Sequence, residues 1–427
     1  MNKIRAHKFV REYALAILLF LVWFLYIFVL ARYELWRYVG VSHMKPLFAD
    51  LHAVLSAIQC HSRGLNVFET NPCDVAGRVH VYGSLWLHLG AVGLGAAHLF
   101  SKGFLVDVAF MAISVLLIKP TSKVEFAKCC LIVLSPAVTL GIERANNDLI
   151  IFSLIATSAI LITQKTRLAQ LCGLLIIYVS ALLKFYPSIL FAAVLLTARR
   201  NAKELVLMTA LTLSLAAIWL ATNFNEFLLV KDLVPKPIDY FATGLRAMWV
   251  YVGRPYPWVL TLSPTWLLAG FMTLMAVGAA SIACRLKAIH VQSDRSTFNY
   301  ALFIFGLAIL FITYTINSNY DYRWVFFIFS MPWLFDIKKS RPDNKFLSRL
   351  VNLAIICAAI TMWTEALRAN SVFGIFNINV FFNIGRSTFS IELFQQFLKE
   401  IAAWGLFIIL FALAIKTFPQ KMTQPNV

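Results

Sequence analysis

Long apolar segments alternate with short polar segments along nearly the whole chain. The apolar segments lie near residues 14–31, 104–118, 129–141, 149–163, 168–183, 187–198, 205–222, 263–283, 298–314, 322–336, 349–367 and 398–415. A helix needs about 20 apolar residues to cross the hydrocarbon core of a bilayer, and many of these segments approach that length. The pattern therefore predicts an all-α polytopic membrane protein with about twelve spanning helices.

The segment 83–101 is ambiguous, because it is apolar but rich in glycine. If it crosses the membrane, the protein has thirteen spans, and the basic loop 119–128 faces away from the basic N-terminus. If it lies at the interface, the basic loops 119–128 and 336–349 and both chain ends share one side. Basic residues in short loops mark the cytoplasmic side, which favours twelve spans with cytoplasmic termini.

Composition supports the same class of protein. Hydrophobic residues make up 60% of the 427 residues and charged residues only 14%, whereas about a quarter of the residues of soluble proteins are charged. The net charge is +18. The basic residues lie mostly between the predicted spans, where they orient the protein in the membrane, so we expect no nucleic-acid partner. No length remains for a separate soluble domain. We expect one membrane domain over 1–427, with two large extracytoplasmic loops at 32–103 and 223–262.

The stretch "ERANND" (143–148) places polar groups between two apolar segments. Such groups at membrane depth must face water, each other or a ligand. Asn146 or Asn147 can cap a helix that begins at Asp148. Arg144 lies four residues before Asp148 and can pair with it on a helix. An arginine at a helix N-terminus also makes an anion site, especially for phosphate.

Two further span ends carry a cation on the same predicted face. "LLKFYPS" contains Lys184, which either extends to the interface or reaches a phosphate. "NSNYDYRW" contains Tyr322 and Arg323. Together with Arg144, these residues place one cation at each of three separate span ends. A lipid phosphate requires such convergent donors.

The first loop contains the candidate acid–base groups. Residues 48–61 have helical spacing, with Gly64 and Asn66 ending the helix and Asp50 opening it. Asp50 either complements the helix N-terminus or accepts a proton from a substrate hydroxyl. Cys60 and Cys73 form either a disulfide or two free thiols. The histidines lack metal-ligand spacing, and no nucleotide-binding loop is present, so we expect no metal and no cofactor.

The motifs "ERANNDLIIF", "LLKFYP" and "YDYRWVFFIFSMPWL" together resemble glycosyltransferase family 87, which includes polyprenyl-phosphate-mannose-dependent mannosyltransferases. The first-loop pattern "FADL…NPCD…Y" is similar to a bacterial branch of that family. The resemblance covers residues 48–334 and departs from the family at Gly83, where proline is common. It implies a C-type glycosyltransferase (GT-C) fold in the bacterial inner membrane. The implied partners are a polyprenyl-phosphate sugar donor, a lipid or glycan acceptor, and membrane lipids.

The resemblance also implies roles for individual residues. Asp50 is the expected general base of an inverting transfer, and Asp74 is its rival. The residues expected to bind the donor phosphate, the sugar or the acceptor are Arg144, Asn147, Asp148, Lys184, Tyr186, Tyr322 and Arg323. Two other functions stay open: a transporter or flippase for a lipid-linked sugar, and an O-antigen-type polymerase or ligase. A transporter predicts broken helices and internal repeats.

Overall fold

The structure is a computed structural model that describes residues 2–197, 202–237, 241–254, 256–291, 294–316, 318–372, 382–384, 387–389 and 391–419. It is mostly helical. Its α-helices are α1 (Asn2–Arg32), α2 (Ala49–His61), α3 (Leu85–His88), α4 (Leu99–Ile118), α5 (Lys123–Val133), α6 (Pro136–Glu143), α7 (Asn147–Ile162), α8 (Arg167–Leu183), α9 (Leu190–Ala193), α10 (Ala202–Leu233), α11 (Leu245–Gly253), α12 (Pro264–Arg285), α13 (Asp294–Ile316), α14 (Ser330–Ser340), α15 (Lys345–Val372) and α16 (Ile391–Lys416).

Short 3-10 helices and strands connect the α-helices. The 3-10 helices are Trp36–Val39, Leu89–Val92, Tyr186–Ile189, Val194–Leu196, Pro257–Thr261 and Asp321–Phe329. The strands are β1 (Ala242–Thr243), β2 (Ile289–Val291), β3 (Asn319–Tyr320), β4 (Phe382–Ile384), β5 (Ser387–Phe389) and β6 (Thr417–Pro419). β1 pairs antiparallel with β3, β2 parallel with β6, and β4 antiparallel with β5.

Seven helices of the described part are long and apolar enough to cross a membrane. They are Tyr13–Arg32, Leu99–Ile118, Glu204–Leu233, Pro264–Arg285, Thr297–Ile316, Lys345–Leu367 and Phe394–Lys416. In α1 the apolar side chains of Leu21, Leu25 and Phe28 are all more than half exposed. Such an exposed apolar stripe is typical of a helix surface that contacts lipid, because exposing it to water would be unfavourable. The protein is therefore a mostly helical, multi-pass membrane protein.

The other predicted spans are shorter or interrupted helices. α5 and α6 meet at a 56° bend, and together they give an eighth span if they are counted as one. Pro136 begins α6 and has no amide hydrogen with which to continue the preceding helix. α7, α8 and the helical run Tyr186–Leu196 are apolar but have fewer than 18 residues.

For the segment 83–101 the sequence left two alternatives open, and for α10 it predicted an earlier end. The segment 83–101 forms α3, a 3-10 turn at Leu89–Val92 and the start of α4, so the described residues contain no thirteenth spanning helix there. α10 continues to Leu233 instead of ending near 222, so the predicted second loop, 223–262, begins inside a helix.

The chain divides into two compact units, each made of separate chain segments. Unit A comprises Met1–Ser42, Ser114–Leu140 and Lys236–Val427, and unit B comprises His43–Ile113 and Gly141–Pro235. In unit A, α16 packs against α12 and α15. In unit B, α7 packs against α8.

Small residues allow close helix packing in each unit. In unit A, buried alanines let α12 and α16 approach closely; they are Ala279, Ala283 and Ala412. In unit B, Gly173 of α8 lies against α7, where its carbonyl accepts a hydrogen bond from the Ser158 hydroxyl at 2.9 Å. A side chain at Gly173 would collide with Ile162, so glycine allows this contact.

Candidate functional site

The site in unit B is built where α2 meets the elbow between α6 and α7. α6 ends at Glu143, and α7 begins at Asn147. Between them the backbone turns at Ala145, whose φ is 41°. The backbone N–H of Phe48 donates to the Glu143 carbonyl, and the N–H of Asp50 donates to the Arg144 carbonyl, both at 3.2 Å. The elbow thus satisfies the free amides at the start of α2, where no side-chain cap is present.

Asn146 joins the elbow to the predicted general base. Its side-chain Oδ1 accepts a hydrogen bond from the Asp148 N–H at 2.8 Å and so caps α7. Its Nδ2 donates to Asp50 Oδ2 at 2.6 Å. Both ends of this amide are therefore used, and the buried amide fixes the orientation of the Asp50 carboxylate.

The rival carboxylate, Asp74, is enclosed by donors. Arg78 donates to it through Nε and Nη2, both at 2.9 Å, and through its backbone N–H at 3.0 Å. The Ala76 N–H and the ring Nδ1 of His52 also lie within hydrogen-bonding distance. Burial acts to raise the pKa of Asp74, but the bonds to Arg78 outweigh it and lower this pKa to about 2. Asp74 is thus a fixed anion that orients Arg78.

Arg78 connects Asp74 to Asp50. Its Nη2 also donates to the Ala49 carbonyl at 2.7 Å, and its Nη1 lies 3.5 Å from Asp50 Oδ1. The Asp50 side chain is 12% exposed, whereas that of Asp74 is fully buried. Asp50 therefore keeps one oxygen that makes only a long contact with a cation.

A second polar group lies where the start of α7 meets the end of α8. Lys184 donates to Asp148 Oδ1 at 2.5 Å, and the Tyr186 hydroxyl donates to the same oxygen at 2.6 Å. The Lys184 ammonium also lies 4.9 Å from the centre of the Tyr82 ring. Lys184 and Asp148 are both nearly fully buried, so they form a desolvated ion pair that depends on both charges.

Arg144 and Asp148 do not lie on one continuous helix, so the helical spacing behind their predicted pairing is absent. The spacing of four residues brings side chains together only on a continuous helix, and the elbow at Ala145 interrupts the helix between them. Arg144 Nε lies 3.8 Å from Glu143 Oε2.

Glu143 and Asn147 are both fully buried at the elbow. Glu143 accepts hydrogen bonds at 2.9 Å from the Met44 N–H and from His43 Nδ1. The side-chain amide of Asn147 has no hydrogen-bond partner among the residues that the structure describes. The substrate-positioning role predicted for Asn147 therefore stays a prediction.

The first loop is fastened to the end of α8 and to α10. A Cβ atom at Gly83 would lie 1.7 Å from the Leu182 carbonyl oxygen, so only glycine fits there. The Gly83 N–H donates to the Leu183 carbonyl at 3.1 Å. The next residue, Ser84, donates both its N–H and its hydroxyl to Glu226. The glycine at position 83 thus has a packing reason.

Cys60 and Cys73 are joined in a disulfide. Of the two alternatives left open by the sequence, the structure therefore has the bonded one. The disulfide ties the last turn of α2 to the residue before Asp74, and Asp74 in turn holds Arg78.

Tyr322 and Arg323 belong to unit A. Tyr322 is buried in an apolar cluster whose other buried members are Leu30, Trp36, Val41 and Leu140. Arg323 donates to the Asn319 side chain, and the Asn319 amide donates in turn to the Thr313 carbonyl. The substrate-binding roles predicted for Tyr322 and Arg323 stay predictions.

Next to Tyr322, Asp321 is bound by a lysine from α16. The fully buried Lys399 ammonium donates to Asp321 Oδ2 at 2.5 Å, to Glu365 Oε1 at 3.1 Å and to the Ala242 carbonyl at 2.9 Å. One ammonium thus connects four separate segments of unit A.

Arg78 and Lys399 are two cations that the sequence does not predict as site residues, and the contact of Asn146 with Asp50 is not predicted either. Arg78 was hidden in a loop of varied composition, and Lys399 in the polar start of an apolar helix. For Asn146 the sequence predicts only a role as the N-cap of α7. Arg78 could have been predicted from the two first-loop carboxylates, Asp50 and Asp74, because two such groups need a nearby cation. The described residues contain no group of three or more His, Cys, Asp or Glu residues that could hold a metal ion.

Comparison with known proteins adds no assignment: no protein-family model, no curated protein and no solved structure matches the chain.

Proposed function

We propose that the protein is a membrane glycosyltransferase of the GT-C type. It transfers a hexose, which we propose to be mannose, from a polyprenyl-phosphate donor to a hydroxyl of a lipid or glycan acceptor. The reaction takes place at the extracytoplasmic face and inverts the anomeric centre. The motifs that resemble glycosyltransferase family 87 support this proposal, and the geometry around Asp50 carries it.

The key observation is the difference between the two first-loop carboxylates. Asp74 is fully buried and both of its oxygens accept hydrogen bonds, so it is a poor proton acceptor. Asp50 is also largely buried, but its side chain is 12% exposed and one of its oxygens has only a 3.5 Å contact to Arg78. A general base needs an oxygen within hydrogen-bonding reach of the substrate proton. Asp50 has an oxygen that could accept such a proton, and its carboxylate is held by Asn146 and Arg78.

In the proposed reaction, Asp50 accepts the proton of the acceptor hydroxyl. The acceptor oxygen forms a bond to the anomeric carbon on the face opposite the phosphate. The bond between that carbon and the phosphate oxygen breaks, and the polyprenyl phosphate leaves with the electron pair. A cation beside the leaving group lowers the barrier by stabilising the charge that develops there. Arg144 and Lys184 of unit B are cations that the family resemblance assigns to this phosphate, and the same role of Arg323 in unit A stays a prediction.

The contacts of Lys184 refine its proposed role. Its ammonium already donates to Asp148, so binding a phosphate requires that it share or release this carboxylate. We assign Lys184, Asp148 and Tyr186 first to holding the start of α7 against the end of α8, beside the substrate. Asn147 and Tyr322 are assigned to positioning the sugar or the acceptor.

The decisive experiment is transfer in proteoliposomes from a radiolabelled polyprenyl-phosphate mannose to extracted envelope lipids. We expect the wild-type protein to form labelled product and Asp50→Asn to form none. Asp343→Asn, which removes an exposed carboxylate of unit A, is the matched control and should remain active. Thermal unfolding must show that Asp50→Asn is folded. An active, folded Asp50→Asn variant would refute the assigned base.

A sugar-lipid transporter is the second candidate, because one structural feature favours it. The 56° bend between α5 and α6 is a broken helix of the kind that transporters use at their binding sites. The same proteoliposomes distinguish the two functions. Labelled sugar lipid that crosses the bilayer without product formation would indicate transport. Product formation without net crossing would indicate transfer.

A further inference from the structure

Two lysines of unit A converge on one amide. Lys128 of α5 donates to Asn352 Oδ1 at 2.6 Å, and Lys338 of α14 donates to the same oxygen at 3.3 Å. Both lysines and the asparagine are partly buried. Two like charges are therefore held close together at the junction of α5, α14 and α15.

This pair of lysines has no carboxylate of its own. In the part of the chain that the structure describes, neither Lys128 nor Lys338 forms an ion pair within 4.0 Å. The nearby carboxylate of Glu125 is bound by Lys339, at 3.0 Å, and by Thr121. Two ammonium groups that share one hydrogen-bond acceptor repel each other, and an anion bound beside both would offset this repulsion.

The unused hydrogen-bond donors at this place match a phosphate group. An ammonium carries three donors, and Lys128 and Lys338 each give one to Asn352. The Asn352 oxygen accepts both of these bonds, which leaves its Nδ2 as a further donor. Phosphate oxygens accept several hydrogen bonds from such convergent cations.

Apolar side chains continue the same helix faces into the membrane. Leu131 lies three residues after Lys128 on α5 and is 40% exposed. Ile356 lies four residues after Asn352 on α15 and is 51% exposed. The indole N–H of Trp363 donates to the Leu131 carbonyl at 2.6 Å and holds the two helices together there. A molecule bound at the lysines therefore meets an apolar surface one turn away, which free phosphate could not use.

We infer that Lys128, Lys338 and Asn352 form a binding site for the phosphate of an anionic phospholipid, whose acyl chains lie along Leu131 and Ile356. Both lysines belong to loops predicted to be cytoplasmic, where the membrane leaflet is anionic. Basic pockets between spanning helices on that side bind anionic headgroups. The site is independent of the proposed transfer reaction.

The test measures which lipid the full-length protein retains. The protein is reconstituted in nanodiscs of phosphatidylglycerol and phosphatidylcholine in equal parts, then extracted into detergent and analysed by native mass spectrometry. We expect phosphatidylglycerol to be retained over phosphatidylcholine. The variant Lys128→Gln/Lys338→Gln should retain on the order of tenfold less phosphatidylglycerol, because each surface lysine contributes measurably to anionic lipid binding.

Two further variants make the result specific. Lys345→Gln/Arg349→Gln removes the same charge from exposed residues in the first turns of α15, the helix that also carries Asn352, and should retain the lipid. Asn352→Asp places a fixed carboxylate between the two lysines, so it should raise the unfolding temperature while abolishing lipid retention. This variant keeps the test decisive even if the lysine double variant does not fold.

Three outcomes would overturn the inference. Equal loss in the two double variants would indicate general surface charge. Release of the bound lipid by inorganic phosphate, added as competitor, would indicate a site for the free anion. Retention of phosphatidylglycerol by a folded Asn352→Asp variant would show that the lipid binds elsewhere.

Discussion

Asn146 holds Asp50 with one end of its side chain and caps α7 with the other. The bond from Nδ2 to Asp50 Oδ2 measures 2.6 Å, and the bond from the Asp148 N–H to Oδ1 measures 2.8 Å. A helix start and the proposed general base therefore share one buried amide. Because the two bonds use different atoms, substitutions can separate the cap from the contact with Asp50.

We expect Asn146→Ser to keep the helix cap but lose the donor to Asp50. Serine caps helices about as well as asparagine, so the unfolding temperature should change little. Sugar transfer should fall on the order of tenfold or more, because a misplaced base costs rate steeply. Asn146→Ala should lose both properties, with about 1 kcal/mol of stability from the cap.

The matched control for Asn146 is Ser122→Ala, which removes the cap of α5. This variant should lose similar stability and keep full activity. Equal activity in Asn146→Ser and the wild type would show that the Asp50 contact has no catalytic importance.

The ion pair of Lys184 and Asp148 should show strong coupling in a double-mutant cycle. Lys184→Met leaves a buried carboxylate without its cation, which costs on the order of 3 kcal/mol. Adding Asp148→Asn should restore most of that stability, because the unpaired charge is removed. Unfolding of the single and double variants in detergent measures the coupling. Additive effects would contradict a functional pair.

The disulfide of Cys60 and Cys73 should stabilise unit B under oxidising conditions. Its cysteines are 13 residues apart, and closing a loop of this size contributes about 3 kcal/mol in the chain-entropy model. We expect a reducing agent to lower the unfolding temperature of the wild type but not that of Cys60→Ser/Cys73→Ser. Cys172→Ser/Cys284→Ser, which changes two free cysteines, should respond to the reducing agent as the wild type does. An identical response in all three proteins would exclude a stabilising disulfide.

The first loop should lose stability in mild acid because of His80. Burial lowers the pKa of this imidazole to about 4, whereas an unfolded histidine titrates near 6.5. The unfolded chain thus binds the proton more tightly, so the contribution of His80 is complete above about pH 6.5 and is lost as the pH falls towards 4. At pH 5 the loss is about 2 kcal/mol.

Glutamine at position 80 keeps a donor for the Gly83 carbonyl but does not titrate. His80→Gln should therefore flatten the dependence of the unfolding temperature on pH between 7 and 5. His88→Gln, at an exposed position, serves as the control and should follow the wild type. A slope unchanged in His80→Gln would rule out this histidine as the cause.

Local features of the structure were predictable from the sequence. The helix predicted over 48–61 is present as Ala49–His61, and Gly64 follows it with a φ of 82°. The Asn146 cap was one of two predicted alternatives. These features depend on residues only a few positions apart, so periodicity and capping chemistry are sufficient to predict them.

Span number was harder to predict, because hydropathy records composition and not continuity. Segments 129–141 and 322–336 are apolar, yet the first is broken near Pro136 and the second contains a 3-10 helix followed by α14. A helix end inside an apolar run carries little hydropathy signal. Conversely, α10 continues through polar residues to Leu233, because helical hydrogen bonds do not require apolar side chains.

The membrane class of the chain, the helix start at Asp50 and the helix boundary at "ERANND" all follow from the amino-acid sequence. The contacts of Asn146 and Arg78 with Asp50, the ion pair of Lys184 with Asp148, and the meeting of two lysines at Asn352 became visible only in the folded chain. Periodicity and capping act between neighbours along the chain, whereas the partner of a buried charge can be any residue that folding brings within a few ångströms.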